Sequence, residues 1–181
     1  MEPSRITERQ TTYRGRRVAI ERRVAVTDDG DTLEREMIVH PGAVVVLAAP
    51  TPQEVLLIRN CRHGLGKILW ELPAGTLEAG EQPAACAARE LQEETGYHAE
   101  RIEPLCRFYS TPGICTEQMH AFLATGLQEV GQALEPGEHI EVECLPFARV
   151  LAMIRSGEVE DAKTIATCLF FRAFSAAETA G

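Results

Sequence analysis

The sequence predicts an α/β protein, a mixed sheet flanked by helices, with a small antiparallel sheet added by the first 40 residues. Three observations lead to that prediction. The chain has 181 residues, 45% apolar and 25% charged, which is ordinary globular material and enough to build one buried core. Short apolar runs bounded by Gly, Pro and Asp recur along it, as strands do. Few segments have helical character, and the clearest, from Pro83 to Gly96, carries both a start and a stop signal. The same composition excludes disorder, collagen and coiled coil.

In chain order, residues 17–26 mix apolar and charged positions in a strand-like way. Asp28-Asp29-Gly30-Asp31 then turns the chain into TLEREMIV, the second arm of a hairpin. AVVVL (43–47) is continuously apolar, as expected of a strand buried on both faces, and VLLIR (55–59) is its partner. A loop with Arg62, His63, Gly64 and Gly66 leads to ILWEL (68–72), in which Trp70 is a core residue, and then to Pro73-Ala74-Gly75. Pro83 suits a first helical position, AACAARELQEET is rich in helix formers, and Gly96 terminates it. Strands follow near 102–109, 119–125 and 140–145. Pro146 opens a helix with Phe147, Val150, Leu151 and Ile154 on one stripe, closed by Gly157, and a last helix runs from about 161 to 174.

Charge narrows the function classes. The net charge of −9 argues against a nucleic-acid binder, whose footprint is a basic face. No apolar run approaches the roughly 20 residues of a membrane span, and the start lacks the hydrophobic segment of a secretory signal, so a cytoplasmic, membrane-free protein is expected. The six cysteines form no C-x-x-C pair, which favours buried reduced thiols over a zinc site. Locally the charge is uneven. Residues 1–23 hold seven arginines against three glutamates, whereas residues 71–94 hold six glutamates and one arginine. A concentrated acidic site in a soluble protein needs a reason, and a metal ion is the commonest.

The acidic site has a definite pattern. Glu90, Glu93 and Glu94 stand at i, i+3 and i+4, so three carboxylates crowd one helical face. Like charges at that spacing oppose the helix by roughly 0.2–0.5 kcal/mol per pair. From Gly75 onward the chain reads G-TLEAG-E-QPAACAA-R-E-L-Q-E-E-T-G-Y. That string resembles the Nudix box, a glycine, five residues, glutamate, seven residues, then R-E-U-x-E-E-x-G-U with U aliphatic. The match covers Gly75, Glu81, Arg89, Glu90, Leu91, Glu93, Glu94 and Gly96, and Tyr97 alone departs, filling the last aliphatic slot with a ring. Hard carboxylate oxygens suit magnesium, with manganese as a substitute, and such an ion takes phosphate oxygens as further ligands.

The resemblance implies an α/β/α sandwich that hydrolyses a nucleoside diphosphate linked to another moiety. Glu90, Glu93, Glu94 and the Ala74 carbonyl are implied as metal ligands. Arg89 with Glu81 is implied as the supporting pair, so that Arg89, Glu93 and Glu94 are counted with the catalytic machinery. Within the family the chain most resembles ADP-ribose and related nucleoside-diphosphate-sugar pyrophosphatases. Pro112 of STPGICTE lies 16 residues after Gly96, where a proline marks that subgroup; IRNCRHGLGKILWELPAG resembles its substrate loop, with Arg62 on the phosphates; and GEHIEVECLPFARVLAMIRSGEVEDAKT resembles its acidic loop and following helices. Glu138 is then the group that activates water, with Glu141 its competitor, and Glu117 lines the cleft. The N-terminal strands (1–40), set against a hydrolase domain (41–181), are implied to dimerise and even to swap, with Arg16, Arg17, Arg22 or Arg23 reaching the partner's substrate. The expected reaction is ADP-ribose plus water giving AMP and ribose 5-phosphate. GDP-mannose-type enzymes share the T/S-P-G-x-x-T-E and E-x-I-E-V runs and are the nearer alternative; a non-catalytic nucleotide-sensing module is the other.

Overall fold

The computed structural model describes residues 4–15 and 18–175. The chain forms two compact units, Met1–Gly42 with Tyr109–Gln118, and Ala43–Phe108 with Met119–Gly181. Arg16 and Arg17, expected to reach a partner, lie outside the described residues.

The first unit is built on an antiparallel sheet in the order β1 (Arg5–Arg14), β2 (Ala19–Val26), β3 (Thr32–Val39). The β2–β3 hairpin follows the predicted turn, with Gly30 at φ +87° and the Thr27 N–H donating to the Asp31 carbonyl at 2.9 Å. Strand β1 has no counterpart in the sequence reading. Every one of its residues is exposed, so RITERQTTYR carries no buried stripe to announce it. The segment 109–118 joins this unit through a parallel bridge between Ile38 and Cys115.

The second unit has a mixed four-stranded sheet, β7 (Ala74–Thr76), β4 (Ala43–Ala48), β9 (Gln118–Glu129) and β8 (Tyr97–Tyr109), in which β4 runs parallel to β9 and antiparallel to β7. An antiparallel sheet of β10 (Ile140–Pro146), β5 (Glu54–Arg62) and β6 (Lys67–Glu71) accompanies it. Three α-helices complete the unit: α1 (Pro83–Thr95), α2 (Phe147–Ser156) and α3 (Ala162–Phe170). Strand β4 explains why its sequence is unbroken apolar. Val44, Val46 and Ala48 pack with Cys86, Ala87 and Leu91 of α1, while Ala43, Val45 and Leu47 pack with Val150 and Met153 of α2 and Cys168 of α3. The fold is thus the expected mixed α/β arrangement, with helices on both faces of the central strand.

Differences from expectation are local. The last helix ends its α-turns at Phe170 and continues as a π-turn, Phe171–Ser175. Pro146 opens α2 as expected, as its N-cap. Cys86 and Cys168 are buried and the described chain has no disulfide, but Cys144 is exposed and the other thiols are half-buried. Trp70 packs against the core only in part, its ring lying 5.7 Å from the Arg59 guanidinium.

Candidate active site

Helix α1 is positioned by its two ends. Pro83 occupies the first turn, where a missing N–H costs nothing, and Gly96 takes the left-handed conformation (φ 77°) that returns its N–H to the Gln92 carbonyl. The buried side of the helix is Cys86, Ala87 and Leu91, and by helical spacing Glu90, Glu93 and Glu94 flank that stripe. Glu94 is 5% exposed and Glu90 half-buried, whereas Glu93 is more open.

Two local features fit these carboxylates against β7, the strand before the helix. The Ala74 N–H donates to Glu94 Oε2 at 2.9 Å. Gly75 then leaves room for Glu90, because a Cβ built there would fall inside the Glu90 carboxyl group. Arg89 organises the rest. Its Nε and Nη2 hold the two Glu81 oxygens at 2.9 and 3.0 Å, and its Nη1 donates to Glu90 Oε1 at 2.7 Å and Glu93 Oε2 at 3.0 Å. The fork on Glu81 draws that carboxyl down to about 2.

Electrostatics mark Glu94 as the unusual member. Burial pushes its carboxyl up to about 8, and the charges of Glu90 and Glu138 push the same way, against the Ala74 N–H and the Arg62 charge. Burial raises Glu90 as well, with Glu93 and Glu138 adding to the effect. Glu138 therefore sits close enough for its charge to act on both. Glu141 is 71% exposed and pairs with Arg59 at 2.7 Å. Among the described residues no three His, Cys, Asp or Glu side chains converge tightly enough to hold a cation as they stand, and Arg89 supplies the neutralising charge between Glu90 and Glu93. The donor set nonetheless fits a hard divalent ion: oxygen donors only, Glu94 buried and Glu90 half-buried, each raised by burial and by neighbouring acidic groups, a strain that a cation relieves.

Arg62 holds Glu71 in a fork, Nε to Oε1 at 2.7 Å and Nη2 to Oε2 at 2.5 Å, while its Nη1 has no hydrogen-bond partner among the described residues. Sequence reasoning missed the rest of this network. Glu71 is fully buried and also takes Lys163 Nζ at 2.5 Å; Lys163 in turn bonds Asp161 at 2.9 Å. A carboxylate so buried requires both cations. Its signal was available, a glutamate within the apolar run ILWEL. Lys163 and Asp161 gave none, being charges on a helix start 92 and 90 positions away.

The remaining candidates lie in the first unit. Arg22, on β2, is held by Glu34 at 2.5 Å and Glu8 at 3.4 Å, and Arg23 by Glu21 at 2.8 Å. Pro112 stands in a turn in which the Thr111 carbonyl accepts the N–H groups of Ile114 and Cys115. Glu117 Oε1 lies 3.5 Å from His40 Nδ1. Ile20, residues 34–38, Gly113 and Ile114 line an open pocket of about 610 Å³, a lining that includes none of the box carboxylates.

Comparison with known proteins bears on both fold and chemistry. The profile of the NUDIX domain matches residues 39–168. The ADP-ribose pyrophosphatase of Bacillus subtilis (strain 168) is 40% identical over 138 residues, 75% of each chain. The GDP-mannose pyrophosphatase of Salmonella paratyphi B is 37% identical over 134 residues, 68% of this chain and 69% of that one. A solved ADP compounds hydrolase superposes with a TM-score of 0.85 at 19% identity, covering 98% of this chain and 97% of that one, a likeness of fold.

Proposed function

The chain belongs to the NUDIX domain family and is a Nudix hydrolase, and from that premise we propose that it splits the diphosphate of ADP-ribose, or of a related ADP-sugar, into AMP and the sugar phosphate. One observation carries the reading: Glu94, buried and bonded to the Ala74 N–H, shares its surroundings with Glu90 and the charge of Glu138. A buried carboxyl facing further acidic groups is a standing cost to the fold unless a cation and an anionic substrate use it.

Glu90, Glu93, Glu94 and the Ala74 carbonyl would hold magnesium, or manganese in its place. The bound ion supplies charge neutralisation at the diphosphate. The chain's own residues do the rest. Arg89 orients Glu81, Glu90 and Glu93 by its fork. Nη1 of Arg62, which has no partner among the described residues, donates to a phosphate oxygen, while Glu71 and Lys163 keep that guanidinium from swinging away. Glu138 accepts the proton of the attacking water as its oxygen bonds to one phosphorus and the bridging P–O bond breaks, the leaving phosphate carrying off the electron pair. Pro112 and Glu117 shape the substrate side.

The N-terminal strands (1–40) form the dimer contact of a cytoplasmic homodimer, and Arg22 serves the partner's substrate. Support comes from β1, the edge strand of its sheet with all ten residues exposed, whose outer backbone N–H and C=O groups are open to pairing with another chain. Light scattering after gel filtration, with and without residues 1–14, tests this reading; a monomeric full-length chain overturns it.

The deciding experiment is a panel of ADP-ribose, other ADP-sugars and GDP-mannose, incubated with magnesium and analysed for nucleoside monophosphate. The reading requires AMP from ADP-ribose at a kcat/KM at least tenfold above that for GDP-mannose, a difference of about 1.4 kcal/mol in transition-state stabilisation. The reverse ranking assigns the GDP-mannose reaction of the Salmonella relative instead. Tight ADP-ribose binding with no product would make the chain a sensing module.

A further inference from the structure

The ten residues 130–139 leading into β10 are mostly exposed and contain two left-handed glycines, Gly131 and Gly137. Their end is nevertheless anchored. The Gly137 carbonyl oxygen lies 3.3 Å from His63 Nε2 and 3.3 Å from His139 Nδ1. A carbonyl only accepts, so the proton of His63 is on Nε2 and that of His139 on Nδ1, an assignment made by the shared partner. The other ring nitrogen, His63 Nδ1, lies 3.7 Å from Cys61 Sγ. The two rings meet edge to face, their centroids 5.6 Å apart.

That carbonyl belongs to the peptide group on which Glu138 stands. The other end of the same peptide, the Glu138 N–H, donates to the Glu135 carbonyl at 3.0 Å, and the Glu138 carboxylate accepts the Glu135 N–H at 2.9 Å. His63 follows directly on β5, a strand paired on both sides, by β10 and β6. The Cys61 N–H on the same strand donates to the His139 carbonyl at 3.2 Å. An otherwise exposed turn is thus tied to a rigid strand at the peptide that carries the glutamate.

We propose that His63 is a positioning residue for Glu138, fixing through the Gly137 carbonyl the peptide plane from which that side chain projects. This rests on Glu138 being the group that takes the proton from water. His63 is exposed, so replacing it opens no cavity. A swing of about 1 Å at the base is enough to cost up to ~10²-fold in rate.

The test uses the full chain with magnesium and the best substrate of the panel above. His63→Ala should lower kcat about tenfold with KM and Tm little changed. His63→Gln, whose amide N–H donates to the same carbonyl, should recover most of the loss. In a Glu138→Gln background, His63→Ala should do nothing further. An equal loss in both backgrounds, a rise in KM alone, or an unaltered kcat in His63→Ala would overturn the proposal while leaving Glu138 as the base. Full activity of Glu138→Gln on its own would instead remove the base assignment, and the positioning role with it.

Discussion

Gly75 and Glu94 are the residues whose chemistry is most constrained, and for different reasons. Gly75 has an ordinary strand backbone, so alanine would be tolerated there were it not for the Glu90 carboxyl lying where the new Cβ must go. Gly75→Ala should therefore spare the fold and displace one carboxylate. Turnover should fall on the order of 10²-fold while Tm changes little, read by parallel kinetics and thermal melts. Glu94 makes a statement about pH. Its ordinary value is 4.5 and the folded chain raises it to about 8. Between those values the folded state binds more protons than the unfolded state, so the metal-free protein loses stability as pH rises through that window. The contribution is whole below about 4.5 and gone above about 8. Urea midpoints measured in chelator should drop between pH 5 and pH 8.5, and Glu94→Gln should flatten that slope; an equal slope in the variant would place its origin elsewhere.

At the scale of elements, the end of α1 is the sharpest constraint. Gly96 is left-handed, and a Cβ there would meet the Gln132 nitrogen and the Gly131 carbonyl carbon at 2.8 Å, backbone that cannot step aside. Gly96→Ala should destabilise by roughly 1–3 kcal/mol, conformational strain and clash together. In a chain of this length that lowers Tm by about 2–4 °C per kcal/mol, measurable by calorimetry. This helix was also the most legible element, because start signal, helix-forming composition and stop signal agree over a single stretch. Strand β4 was legible for a similar reason, its unbroken apolar run having one structural meaning. Strand β1 was not, since an element exposed on both faces has no pattern to read. The site divided along the same line. Glu90, Glu93, Glu94, Arg89 and Glu81 sit within one 14-residue stretch, and the resemblance of that stretch to the Nudix box is what implied their joint use. The pairing of Glu71 with Lys163, and of His63 with Gly137, depends on where distant strands and helices come to rest, which no local spacing encodes.

For the molecule as a whole, the deciding quantity is how folding redistributes charge. A chain of net charge −9 gathers Glu90, Glu94 and Glu138 into one another's field and buries Glu94 among them, so ionising these groups in the native state meets a repulsion that the extended chain lacks. An ion that binds only where those carboxylates converge stabilises the native state by mass action, and at about 100 times its dissociation constant the gain is ~2.7 kcal/mol. Magnesium or manganese should accordingly raise Tm by about 5–10 °C, the range that such a gain produces in a chain of this length. Plain screening of a net charge predicts a rise too, so the control is sodium chloride at matched ionic strength, which weakens exposed repulsions and leaves buried ones nearly intact. Glu94→Gln separates the two accounts further. It changes the formal net charge only from −9 to −8, which barely alters screening, yet it deletes the buried member of the donor set, so most of the magnesium-specific rise should vanish. A rise of equal size in sodium chloride, or one that survives in Glu94→Gln, would mean that the cation acts on the surface at large and not at the carboxylates of α1.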